Sequence, residues 1–159
     1  MRAADVDERE GGPAEEVVSE NALRKARAIA AHEPSALVMG VDTVVELGGG
    51  LYGKPSDRAQ AAEFLRALSG HRHRVWSGLA LIEDGQERTG VATTDVTFRR
   101  VDHALAEWYL SSGEWRERAG GYAIQGKGAA LVERVEGDYW NVVGLPVALL
   151  VGMAPGLMR

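Results

Sequence analysis

Two strand-like stretches, "HRVWSGLALIE" and "ERTGVATTDVTF", face each other across Asp84-Gly85, and no other feature constrains the fold as strongly. Glycine accepts the positive φ that a two-residue type I′ turn requires. Asp-Gly between two such runs therefore predicts an antiparallel hairpin.

Helices and further strands surround this hairpin. The first 14 residues are acidic, contain glycine and show no period, which predicts a loop. From about Glu15 to His32 the pattern is helical. Val18, Ala22, Lys25 and Ile29 recur at i, i+4, i+7 and i+11, Leu23, Ala26 and Ala30 widen the stripe, and Pro34 ends it. Ala36 to Leu47 reads as a buried strand, and Gly48 to Gly50 as a turn into "LYGKP". Ser56 or Asp57 can cap the next helix. Asp57-x-x-Gln60 resembles a capping box, Ala61, Phe64, Leu65 and Leu68 form one face, and Ser69-Gly70 stops the run. After the hairpin, Asp102 caps a helix bearing Leu105, Trp108 and Tyr109 and closed by Gly113. A strand is expected from Ala129 to Val135, and a short helix from Val147 to Val151 that ends near Pro155. This order of elements implies a single α/β or α+β domain.

Length and composition agree with that reading. At 159 residues the chain suits one domain, and 45% apolar with 26% charged residues is ordinary for a globular protein. A net charge of -5 argues against bulk nucleic-acid or anionic-membrane binding, yet leaves room for a small anionic ligand. The absence of cysteine excludes a disulfide framework and a thiolate metal site, and fits a reducing cytoplasm. No 18-residue apolar run and no signal-type h-region are present.

Five residues break their local pattern. Lys25 sits on the apolar stripe of its helix, where it either snorkels to water or aims a cation at a phosphate or carboxylate. Asp42 interrupts an apolar strand, as a strand-end aspartate, a metal ligand or a base that activates water. In an unbroken strand Asp42 and Thr43 point to opposite faces, so a shared ligand requires the strand to end or distort, which Gly40 would permit. Lys54 stands between Gly53 and Pro55 in a rigid loop, Glu8 lies in an acidic stretch, and Gln125 follows "YAI" before a glycine-rich turn. Each of these three is either a surface residue or a ligand contact. Two other signals are discounted. "HRHR", His71 to Arg74, lacks companion histidines for a metal site and sits in an acidic chain, and Gly126-Lys127-Gly128 does not match a P-loop.

Seven blocks then carry a resemblance that spans about Asp5 to Pro146: "DVDER", "ENALRKA", "GVDTVV", "LYGKP", "FLRALSG", "YAIQGKGA" and "GDYWNVVGLP". In this order and approximate spacing the chain resembles the Maf-like nucleotide pyrophosphatases. The resemblance implies a Maf/inosine-triphosphatase-like α/β fold, with a mixed, twisted sheet, flanking helices and a cleft. It implies hydrolysis of nucleoside triphosphates to monophosphate and pyrophosphate with a divalent metal, Mg²⁺ or Mn²⁺, in the cytoplasm and in a homodimer. Asp42 matches the family's proton acceptor, and Glu8 the acidic residue that helps hold metal or water. Lys25 and Lys54 match lysines on the phosphate chain. Thr43 and Gln125 match the pair that marks the dTTP/UTP branch, rather than the branch acting on 7-methyl-GTP. A role associated with the family in septum formation and cell division gives a non-catalytic, nucleotide-binding alternative. An inosine-triphosphate-type activity on the same fold is a third reading, against which Thr43 and Gln125 speak.

The family's opening segment, roughly "LASxSPRR", has no counterpart in this sequence. The single domain, residues 1–159, is therefore expected to be N-terminally shortened, without the family's phosphate-binding serine and arginine and without one strand. An upstream start, with Met1 encoded by an internal GTG, is favoured over a true truncation.

Overall fold

The computed structural model describes residues 6–158, so residues 1–5 of the expected N-terminal loop lie outside the described residues. Ten helices and strands follow in chain order. They are α1 (Ala14–Ala30), β1 (Val38–Leu47), β2 (Gly50–Tyr52), α2 (Arg58–Leu68), β3 (Arg72–Glu83), β4 (Gln86–Phe98), α3 (His103–Ser111), β5 (Val132–Glu136), α4 (Tyr139–Val143) and α5 (Val147–Met153). Short 3-10 turns at Ala119–Gly121, Lys127–Leu131 and Pro155–Met158 complete the path.

The Asp84-Gly85 hairpin forms as expected, with both residues at positive φ and β3 pairing β4 from Arg72↔Thr97 to Glu83↔Gln86. The five strands run in the order β2-β1-β3-β4-β5. Every pairing among them is antiparallel, so the parallel pairing implied by a mixed sheet does not occur among the described strands. Helix caps follow the sequence. Asp57 Oδ1 accepts from the Gln60 amide at 2.8 Å while Gln60 Oε1 accepts from the Ser56 amide at 2.7 Å, and Asp102 accepts from the Leu105 amide at 2.9 Å. One boundary moves. The strand expected from Ala129 begins only at Val132, because residues 127–131 wind into a 3-10 turn that carries Leu131 into the core.

β3 is buried on both faces, which explains its nearly continuous apolar sequence. Ala80 and Ile82 pack with Ala22 and Ala26 of α1 on one side. On the other, Leu79 and Leu81 meet Leu150 of α5, and Val75 joins the main core with Leu65, Phe98 and Tyr109. Helix α1 approaches the sheet unusually closely. A Cβ added at Gly40 would collide with the carbonyl of Ala22, and one at Gly78 with the carbonyl of Val18. Gly78 is the registry partner of Asp42, so this approach sets the height of α1 above that carboxylate. Neither contact is with a flexible side-chain end, so an added methyl must displace the helix. Gly78→Ala is accordingly expected to lower stability by about 2 kcal/mol or more in chemical denaturation, and a loss below ~0.5 kcal/mol would show that α1 can shift freely.

Candidate active site

Asp42 lies on the α1 face of β1, with its side chain 10% exposed. It is paired rather than stranded there. Lys25 Nζ donates to Asp42 Oδ1 at 2.6 Å, and Asn21 Nδ2 donates to Oδ2 at 3.1 Å. Asn21 and Lys25 are one helical turn apart on α1, so the docked helix presents both donors to the same carboxylate. Lys25 also meets Glu8 Oε1 at 2.8 Å. Burial works against the Lys25 charge, but the hydrogen bonds to Asp42 and Glu8 outweigh it and hold the ammonium above its usual pKa.

The segment carrying Glu8 is fixed by its neighbour. The Arg9 amide donates to Asn21 Oδ1 at 2.7 Å, Asn21 Nδ2 donates back to the Arg9 carbonyl at 3.0 Å, and the Arg9 guanidinium reaches Glu16 and Glu20 at 2.9 and 3.0 Å. Asn21 is thus the joint between the N-terminal segment, α1 and Asp42, and it is almost completely buried. Sequence reasoning did not single it out. The available signal was a polar residue on the apolar stripe, four positions before Lys25.

Asp42 and Thr43 do point to opposite faces. Thr43 Oγ1 shares a hydrogen bond with Ser77 Oγ at 2.8 Å on the far side from α1. The expected break at Gly40 is absent, since β1 pairs with β3 without interruption from Val38 to Glu46. Access to both residues has another source. β2 pairs with β1 only at Val45, Glu46 and Leu47, so among the described strands none lies along the Val38–Val44 edge. A cavity of about 350 Å³ opens there and is lined by Lys25, Asp42, Thr43, Lys54 and Gln125 together. Glu8 faces an adjoining cavity of about 470 Å³, which shares Asp42, Thr43 and Lys54 with the first.

The remaining wall combines apolar and polar groups. Val45, Val75 and Val142 supply apolar surface. Lys54 leaves the β2–α2 loop and lies 3.4 Å from Glu117 Oε2. The Gly120 amide donates to the Gly53 carbonyl at 3.0 Å, which ties the Lys54 loop to the turn at residues 119–121. Gly120 is left-handed there and packs on Val45, so a side chain would meet both strain and contact. Tyr122 lines the cavity while its hydroxyl meets His73 Nε2 at 2.9 Å. His73, discounted as a metal ligand, is a core histidine packed edge-on against Phe98 and Tyr122.

The donor set permits one cation of the hard, oxygen-seeking kind. Glu8 and Asp42 already converge on a single positive centre, the Lys25 ammonium. Among the described residues no group of three His, Cys, Asp or Glu is placed to hold a metal. Two carboxylates fit Mg²⁺ or Mn²⁺ in a site where phosphate oxygens supply further ligands.

Comparison with known proteins agrees with this geometry. The family model described as "Maf-like protein" matches residues 1–155. The chain is 52% identical over 132 residues to a dTTP/UTP pyrophosphatase of Deinococcus radiodurans, covering 83% of this chain and 68% of that protein. It is 43% identical over 130 residues to one of Pyrococcus horikoshii, covering 82% and 70%. A third, from Anaeromyxobacter dehalogenans, is 44% identical over 154 residues, covering 93% and 77%.

Burial pushes the His73 pKa down from 6.5 to about 4, outweighing the attraction of Asp95. The folded form thus resists protonation that the unfolded chain accepts. Stability from this group is fully present above pH 6.5 and falls as pH drops toward 4, by about 3 kcal/mol in all. His73→Gln should flatten that part of a denaturation-versus-pH profile. An unchanged slope would assign it to other groups.

Proposed function

Because this chain belongs to the Maf-like family, we propose that it hydrolyses dTTP and UTP to the nucleoside monophosphate and pyrophosphate. The observation that carries this reading is the convergence of Lys25, Asp42, Thr43, Lys54 and Gln125 on one cavity, from four separate parts of the chain. Water attacks the α-phosphorus, an oxygen–phosphorus bond forms, and the bridge between α- and β-phosphates breaks to release pyrophosphate. Asp42 takes the proton from the water. Lys25 and Asn21 fix the plane of its carboxylate, and each oxygen keeps a lone pair for the water. Lys25 and Lys54 place positive charge against the phosphate oxygens as charge moves toward the leaving group.

A divalent metal would be held by Glu8 and Asp42 with the substrate's phosphates, and when bound supplies Lewis-acid charge at those oxygens. The Thr43 hydroxyl, on the face of β1 opposite Asp42, and the Gln125 amide recognise a thymine or uracil edge. A purine that leaves these groups unpaired binds less well. No helix among the described residues is long and apolar enough to cross a membrane, and a cytoplasmic nucleotide pool suits this substrate class.

The test is pyrophosphate release, read as phosphate after added pyrophosphatase, across a panel of nucleoside triphosphates with Mn²⁺ or Mg²⁺. The expected result is turnover of dTTP and UTP, with Asp42→Asn lowering it by about 10²-fold or more while nucleotide binding persists. Binding without pyrophosphate release by the unsubstituted chain would overturn hydrolysis in favour of a nucleotide-binding role. Preference for ITP would overturn the assigned base specificity. Turnover within about threefold in Asp42→Asn would remove Asp42 as the base.

A further inference from the structure

The cations around the cavity differ in how far they are already neutralised. Lys25 is shared by two carboxylates, at 2.6 and 2.8 Å, and Lys54 faces Glu117 at 3.4 Å. Arg118 also lines the cavity, is exposed, and its side chain makes no hydrogen bond or ion pair among the described residues. Its surroundings are nevertheless ordered by the backbone. The Arg118 carbonyl accepts from the Gly121 amide at 2.9 Å, the next turn is tied to Gly53, and Glu117 on the other side holds a left-handed φ of 58°. An uncommon backbone conformation for glutamate thus separates two neighbouring charges, with Glu117 turned to Lys54 and Arg118 left uncommitted.

A nucleoside triphosphate brings about four negative charges at neutral pH, because the pKa values of its phosphate groups lie below about 7. Carboxylates already answer both lysines, so the added charge calls for a cation without one. We propose that Arg118 is a further substrate-contacting residue, whose guanidinium grips the phosphate chain of a bound pyrimidine nucleoside triphosphate. The planar fork presents parallel donors to two phosphate oxygens at once, a fixed geometry that a point-like lysine ammonium lacks. This inference rests on the nucleotide reading of the cavity, but not on turnover.

Calorimetric binding of a non-hydrolysable α,β-methylene UTP separates the two. Arg118→Ala is expected to weaken that analogue by about tenfold. Arg118→Lys should recover part of the loss, because charge returns without the fork. Affinity for uridine should stay within about twofold, since it carries no phosphate for Arg118 to grip. Tight analogue binding by Arg118→Ala overturns the proposal. So does a parallel loss of uridine affinity, which indicates a distorted cavity, and so does failure of the unsubstituted chain to bind the analogue. If the unsubstituted chain binds the analogue with the expected Arg118 dependence yet releases no pyrophosphate from UTP, the hydrolytic reading fails while the role of Arg118 stands.

Discussion

The close seat of α1 on Gly40 and Gly78 is the constraint on which the site depends. Two adjacent strands each place a glycine on one face, where the helix backbone lies directly against them. That spacing lets short and medium side chains of α1 reach a strand carboxylate directly. A helix held a side chain higher would leave Asp42 without the Asn21 amide, which is 3.1 Å away. The polar cluster is therefore a product of packing. Burial of Ala22 and Ala26 against Ala80 and Ile82 supplies the cohesion, and the carboxylate–ammonium–amide contacts follow from where that packing places them.

Charge is arranged around this seat in a way that suits a transient anionic ligand. Lys25 is held charged by two acidic groups despite its burial. Leaving any one of these groups unmatched in a half-buried cleft would be costly, so the cluster is stable only as a set. Substrate phosphates can share the lysine ammoniums with these carboxylates, whose remaining lone pairs stay available to water or a cation. The cavity brings residues from both faces of β1 together, Asp42 from one and Thr43 from the other.

Much of this was legible in the sequence because the signals were local. Asp84-Gly85, Asp57 with Gln60, and Asp102 act through backbone groups only a few residues away, and all behave as read. Lys25, Asp42, Lys54, Thr43 and Gln125 stood out as pattern breaks or through resemblance, and the cavity unites them. What escaped was decided by tertiary contact. Asn21 looks like an ordinary helix residue until α1 is placed over Asp42. Gly40 reads as a strand breaker, but serves as a landing for α1 in a continuous strand. Residues 129–131 read as the start of a strand, yet the close packing of Gly128 on the Ala123 backbone and the burial of Leu131 hold them in a 3-10 turn. Arg118 and Glu117 sit in a charged loop whose sequence does not say which charge is paired.

The most direct test of the whole account follows the oxygen of water. In H₂¹⁸O, hydrolysis of UTP by attack at the α-phosphorus puts the label into UMP and leaves pyrophosphate unlabelled, as mass spectrometry of both products would show. That is the predicted result. Label in pyrophosphate, or orthophosphate and UDP as first products, would place the attack elsewhere on the phosphate chain and contradict the assignment of Asp42.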